Sequence, residues 1–302
     1  RIAEKEMAAA KRAGIQLIPM DAEEYPELLR SIPDPPVLLY VLGSLLKEEI
    51  TVALVGSRKA TPYGLNATHL LSRDLAAAGI TIVSGLARGI DARAHSATLE
   101  AGGRTLAVLG SGVDVIYPAE HKMLAKKISE TGAVISEFPL GTAPNRDNFP
   151  VRNRIISGLS RLVIVVEASD KSGSLITARM AAEQGREVLA VPGSIFNEQS
   201  RGCNSLIKDG AALIRNAEDV IAELPREIAA RLVAQEKTSR EEHLTEIEKN
   251  IIRLLSFDQP SHVDQIAQRS GIKSQDLLGT LVNLELKNYI TQIPGKNFLR
   301  IR

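Results

Sequence analysis

TVALVGSRKATPYG, residues 51–64, holds an apolar run that stops at Gly56-Ser57-Arg58 and passes into a helical pattern from Tyr63. Val52–Val55 offers no polar face, as expected of a strand covered by helices on both sides. The same unit recurs downstream. Apolar runs at Ile80–Val83, Thr105–Leu109, Ala133–Ile135, Leu162–Val166, Val188–Val191 and Ala212–Ile214 alternate with helical stretches at Tyr63–Ala78, Ile90–Ala101, Ala119–Glu130, Arg152–Ser160, Leu175–Gly185, Asn204–Lys208 and Ala217–Leu224. This alternation predicts an α/β fold with a doubly wound, mainly parallel sheet over residues 51–225.

Outward from that core, residues 1–13 read as a helix ended by Gly14, followed by a short strand at Ile15–Ile18. Tyr25-Pro26 and Pro33-Asp34-Pro35-Pro36 then impose extended or turn geometry before an apolar strand at Val37–Leu42. Residues 1–50 are thus expected as an appendage of helix and extended chain. Beyond Pro225 the chain is charged with a weak apolar stripe, so 226–243 reads as a connecting helix and linker. From Leu244 onward, Ile247, Ile251, Leu254 and Leu255 share one helix face. A helix at His262–Arg269, the Ser270-Gly271 turn, a helix at Ser274–Lys287 and a hairpin of Tyr289–Gln292 and Phe298–Ile301 follow. That order predicts a small winged helix-turn-helix unit over 244–302.

The 302 residues carry 37 basic and 36 acidic side chains, a net charge of +1, so no global basic excess points to a polyanion. Any anion site must be local. Between Ala143 and Arg161, Arg146, Arg152, Arg154 and Arg161 face the single acid Asp147. The single cysteine, Cys203, leaves no intramolecular disulfide and no cysteine zinc site, which fits a reducing cytoplasm. No apolar run reaches the roughly 18 residues of a membrane span, so a soluble chain with no membrane partner is expected.

In a parallel sheet the ligand lies beyond the carboxyl ends of the strands. The loops there are Gly56-Ser57-Arg58, then Ser84 to Gly89 with Gly85 and Arg88, then Gly110-Ser111-Gly112, then Ser172-Gly173-Ser174 and Pro192-Gly193-Ser194. Each alone is an ordinary strand-to-helix turn; together on one edge they form a surface that backbone N–H groups can present to phosphate. Arg58 could grip a phosphate with two parallel hydrogen bonds, or pair with Glu137 or Asp91. Phe149 could stack a planar base or fill the core.

Several classes are disfavoured. No GxGxxG follows the first strand of this core, and Lys171-Ser172-Gly173-Ser174 lacks the leading glycine of a Walker A loop. His69, His95, His121, His243 and His262 lack metal-ligand spacing and are expected mostly on helix surfaces. Asp91, Asp114, Glu137, Glu167 and Glu183 lie near the edge; acid–base work is conceivable, but helix-start electrostatics for Asp91 and an arginine partner for Glu137 are the simpler expectation. No cofactor, metal or catalytic residue is expected.

VGSRKATPYG (55–64), SGLARGIDARAH (84–95), GSGVDVIYP (110–118), NFPVRNRIISGLS (148–160), SGSLITA (172–178) and VPGS (191–194) resemble the DprA/Smf DNA-processing family, in order and spacing, from about Asp21 to Leu224. The resemblance implies an extended Rossmann-like domain and a non-enzymatic, cytoplasmic protein. That protein would bind and protect incoming single-stranded DNA, dimerise with itself and load RecA recombinase in natural transformation. It also implies a groove lined by Gly56, Ser57, Arg58, Gly85, Arg88, Lys122, Phe149, Arg152, Asn153, Arg154, Ser172, Gly173 and Ser174.

An alternative is a nucleotide hydrolase, since the same edge more distantly resembles phosphoribohydrolases. There the expected acid falls out of register, because Glu183 follows Thr177 by six positions. A third reading makes the C-terminal unit the DNA binder, but its presumed recognition helix carries Asp276 and Glu285, with lysines at its ends alone, which suits a major groove poorly.

Overall fold

The structure is a computed structural model that describes residues 2–232, 234, 245–256, 259–272, 274–287 and 289–300. The chain divides into two compact units, Arg1–Leu232 and Val233–Arg302. Of the expected linker, 226–232 is helical and residues 233 and 235–243 lie outside the described residues, as do His243, Leu244, Lys273 and Ile301.

The first unit runs α1 (Ile2–Arg12), β1 (Ile15–Pro19), α2 (Glu27–Arg30), β2 (Leu38–Gly43), β3 (Thr51–Val55), α3 (Pro62–Ala77), β4 (Thr81–Ser84), α4 (Ile90–Glu100) and β5 (Thr105–Val108). It continues with α5 (Lys122–Thr131), β6 (Ala133–Ser136), α6 (Asn148–Gly158), β7 (Leu162–Val165), α7 (Gly173–Glu183), β8 (Glu187–Ala190), α8 (Arg201–Lys208), β9 (Ala212–Leu213) and α9 (Ala217–Ala222). The helix over 226–232 is α10. The nine strands form one sheet in the order β1-β2-β6-β5-β4-β3-β7-β8-β9, parallel from β6 to β9 and antiparallel where β1 and β2 join. This is the Rossmann-like sheet with helices on both faces.

Alternate residues of each strand supply opposite cores. Ala53 and Val55 of β3 join Val83, Val163 and Val165 on the face covered by Ile155, Ile156 and Leu159. Val52 and Leu54 turn the other way, with Ile82 and Ile164, onto Leu71, Leu75 and Ile90. Period-2 side chains that are apolar on both faces require this sandwich of layers.

Residues 1–50, expected as an appendage, are built into the same unit. β2 pairs with β6 along Tyr40↔Ser136 to Gly43↔Ala133, and Leu29 of α2 and Ile32 just after it pack against Gly158 of α6. The Pro33–Pro36 run, expected to be extended or turned, returns the chain to β2, which lies between β1 and β6 in the sheet. α6 begins at Asn148, four residues before the expected start at Arg152. Pro150 is tolerated in its first turn because the N–H that proline lacks would have no intrahelical acceptor there.

The second unit holds α11 (Glu246–Leu254), β10 (Ser261–His262), α12 (Val263–Ser270), α13 (Ser274–Leu286), β11 (Ile290–Ile293) and β12 (Asn297–Arg300), with strand order β10-β12-β11. Its own core includes Ile251, Ile266, Leu281, Leu284 and Phe298. Thr245 and Glu248 close a reciprocal cap on α11, and Gly271 ends α12 at φ 70°. Three helices and a hairpin make this a winged helix.

Candidate functional site

β3 sends the chain to β4 on one side, whereas its other neighbour is β7, so the strand order reverses between β3 and β7. A crevice opens at such a reversal, beyond the carboxyl ends of the two strands. Here it is a cleft of about 680 Å³ walled by the loops after β3 and β7 and by the first turns of α6 and α7.

The loop after β3 is held by its neighbours. Ser57 N donates to Glu167 O at 2.7 Å, and Ser57 Oγ bridges to Gln199 Oε1 at 2.8 Å and accepts from Lys59 N at 3.1 Å. A side chain at Gly56 would place Cβ 2.7 Å from Ile90 and 2.9 Å from Glu167 O, so only glycine lets the strand enter this loop. Arg58 is left exposed at the mouth. Its guanidinium carbon stands 5.2 Å from the Phe149 ring centroid, and among the described residues no carboxylate lies within ion-pair distance of it. Tyr117 packs against the same ring, centroids 5.8 Å apart.

Arg152 is a different kind of arginine. It is 4% exposed, and its Nη1 donates to Gly85 O at 2.8 Å and to Val108 O, the carboxyl ends of β4 and β5. Burial lowers its pKa to about 10, an effect that the neighbouring Asp91 carboxylate opposes, so it stays charged at neutral pH. Asp91 accepts from Gly85 N at 3.2 Å and Ala87 N at 3.3 Å, and burial pushes its pKa up. Opposite, Ser172 caps α7, its Oγ accepting from Ser174 N at 3.4 Å and standing 2.7 Å from Ser174 Oγ, and Gly173 lines the cleft at the first turn.

The fold therefore gathers Gly56, Ser57, Arg58, Phe149, Arg152, Asn153, Ser172, Gly173 and Ser174 around one cleft. Gly85 and Arg88 line a smaller recess of about 230 Å³ that shares Arg58, Phe149 and Arg152 with it. Arg88 is paired there with Glu120 at 2.6 and 2.9 Å. Two residues expected in the groove lie elsewhere. Lys122 is exposed at the start of α5 and lines neither cavity, and Arg154 faces the back of α6, donating to Asp34 at 3.0 Å and Glu137 at 2.6 Å. Glu137 thus has an arginine partner, and it is Arg154, not Arg58.

Lys59, Arg146 and Lys171 also reach the cleft, which sets five cations against the single carboxylate Asp91. Arg146 lay in the basic segment noticed in the sequence; Lys59 and Lys171 each adjoin a glycine-serine loop. His95, expected at a helix surface with the others, is fully buried, its Nδ1 2.7 Å from Thr105 Oγ1. Among the described residues no group of His, Cys, Asp and Glu could hold a metal ion. None of the described helices is long and apolar enough to cross a membrane.

Residues 16–225 match the family model for DNA recombination-mediator protein A, and residues 235–296 that for the DprA winged helix domain. The chain belongs to the DprA family. Protein Smf of Escherichia coli, a relative, is 43% identical over 290 residues, spanning 95% of this chain and 77% of that protein. The crystal structure of DprA from Streptococcus pneumoniae is similar, with TM-score 0.67 and 44% identity over 70% of this chain and 75% of that one. DprA from Helicobacter pylori, whose structure addresses its mode of single-stranded DNA binding, gives TM-score 0.61 and 30% identity over 74% of this chain and 97% of that one. The strand reversal that creates the cleft lies within the segment matched by the DprA family model.

Proposed function

We propose that the cleft binds single-stranded DNA without chemistry on it. The carrying observation is the pairing of charge and ring at its mouth: Arg58, with no carboxylate within ion-pair distance among the described residues, stands against Phe149 amid four further cations. Phosphates would meet Arg58, Lys59, Arg146 and Lys171 and the Gly173 N–H at the start of α7, while the Phe149–Tyr117 pair would offer a stacking edge to a base. Arg152 would act from behind, fixing α6 to the sheet. The H. pylori relative's single-stranded DNA binding supports the reading.

The cleft offers little to hydrolysis. Its one carboxylate, Asp91, is engaged by two backbone N–H groups and faces Arg152, and Glu167 spends both oxygens on Thr61 at 2.5 and 2.8 Å. On family grounds the proposal extends to a cytoplasmic homodimer that protects incoming strands and hands them to RecA recombinase during transformation. It also assigns strand binding to residues 51–225 with their N-terminal extension, not to the winged helix. There Lys287, at one end of the presumed recognition helix, is engaged by Glu248 at 2.7 Å.

The deciding experiment is a salt-titrated comparison of single- and double-stranded oligonucleotides, wild type beside Arg58→Ala. Binding should favour the single strand and weaken with salt; salt-independent binding, or unchanged binding by Arg58→Ala, would sink the reading.

A further inference from the structure

At the opposite end of the sheet, by the amino ends of β3, β5 and β7, lies a second cavity of about 270 Å³. Leu28, Leu46 and Ile228 form apolar walls, and Arg161 and Arg231 both line it. Arg161 immediately precedes β7, where its N–H is fixed on Thr51 O at 2.9 Å, so the side chain starts from a rigid position. Arg231 is carried by α10, within the same compact unit.

Among the described residues no carboxylate lies within ion-pair distance of either guanidinium, and the buried Nε of Arg161 has no hydrogen-bond acceptor. Burial and then the charge of Arg231 both disfavour the charged form of Arg161. A third cation, Arg186, feels Arg161 in turn, and its Nε is likewise buried and unpartnered while Nη2 donates to Leu28 O at 2.8 Å. Among the described residues the carboxylates of the cavity form no ion pair with Arg161 or Arg231: Glu27 pairs with Arg30 and Glu49 with Arg104, and Glu48 lies exposed beside Lys47. Two guanidinium groups that line one cavity and pair with none of its carboxylates are stabilised by an oxyanion that takes parallel N–H bonds from both forks.

We infer that this cavity is a binding site for a small organic oxyanion, a phosphate or carboxylate head held between Arg161 and Arg231 with a short apolar body against Leu28, Leu46 and Ile228. It stands on the opposite sheet end from the cleft and does not depend on what the cleft binds. The volume admits a ligand of about the size of a phenyl phosphate, below the range of most cofactor pockets.

Thermal unfolding of the whole chain tests this, with phenyl phosphate, hexanoate and sodium phosphate as probes against sodium chloride at equal ionic strength. Phenyl phosphate or hexanoate should raise the midpoint by about 2–4 °C at several times its Kd, and more than sodium phosphate does. Which of the two acts distinguishes a phosphate from a carboxylate head. Arg231→Ala, on an exposed side chain that folding does not need, should remove at least half of the rise, Arg161→Met all of it, and Arg58→Ala none. A rise that disappears with Arg58→Ala while surviving Arg231→Ala would place the anion in the cleft and overturn the inference; so would no rise with any probe, or one that all three variants keep.

Discussion

The guanidinium of Arg58 lies 5.2 Å from the centre of the Phe149 ring, while that of Arg152 lies 5.9 Å from the same ring. One ring thus neighbours an exposed cation and a buried one, and the two should fail differently when removed.

Arg58→Ala should cost about 1.5–3 kcal/mol of single-strand affinity and reduce the salt slope by about one, with the thermal midpoint unchanged. Phe149→Ala should cost about 1–3 kcal/mol through lost stacking, and its effect should persist at high salt where that of Arg58 fades. Fluorescence anisotropy over a salt series separates the two.

Arg152→Ala should instead unfold more easily, by about 3–5 kcal/mol in urea titration, because it strands the buried Asp91 carboxylate and two strand-end carbonyls. Arg152→Lys should recover part of the loss, since one nitrogen serves both carbonyls and the contact given up is that of Nε with Asn153 Oδ1 at 3.3 Å.

Arg154→Ala should lower stability by about 1–3 kcal/mol and leave oligonucleotide affinity within about twofold, since its partners Asp34 and Glu137 lie behind α6. A large loss of affinity at unchanged stability would put this arginine back in the groove.

His95 gives the fold a pH dependence. Burial lowers its pKa from 6.5 to about 3, so between those values the unfolded chain binds a proton that the folded chain does not. Its stabilising contribution is therefore full above about pH 6.5 and falls as pH drops toward 3, with a slope approaching 1.4 kcal/mol per pH unit. Urea midpoints at pH 7, 6 and 5 should decline in the wild type more steeply than in His95→Gln.

Ending the chain after Leu232 should leave single-strand affinity unchanged, because every cleft residue belongs to the first unit. Loss of binding in that truncation would move the interface to the winged helix.

The parallel sheet and the Gly56–Arg58 loop were legible because strand burial on both faces and a small-residue turn are local properties. The orientation of Arg154 was not, because its partner Asp34 lies 120 positions away and a helix turns residues two apart to opposite sides. Lys122 and Arg88 carried the right charge, but their distance from the cleft depends on how far α5 and the loop after β4 stand from β3. The burial of His95 was hidden for a similar reason: the polar atom that satisfies it, Thr105 Oγ1, belongs to a strand the helix packs upon.

The N-terminal segment braces α6 from behind: Leu29 and Ile32 press on Gly158 so closely that an added Cβ would sit 2.8 Å from Leu29 Cδ1, and Asp34 grips Arg154. A fragment able to hold Phe149 and Arg152 in place therefore starts ahead of Glu27, where α2 begins. One cut at residue 51 would keep every residue of the cleft and lose the buttress that aims them.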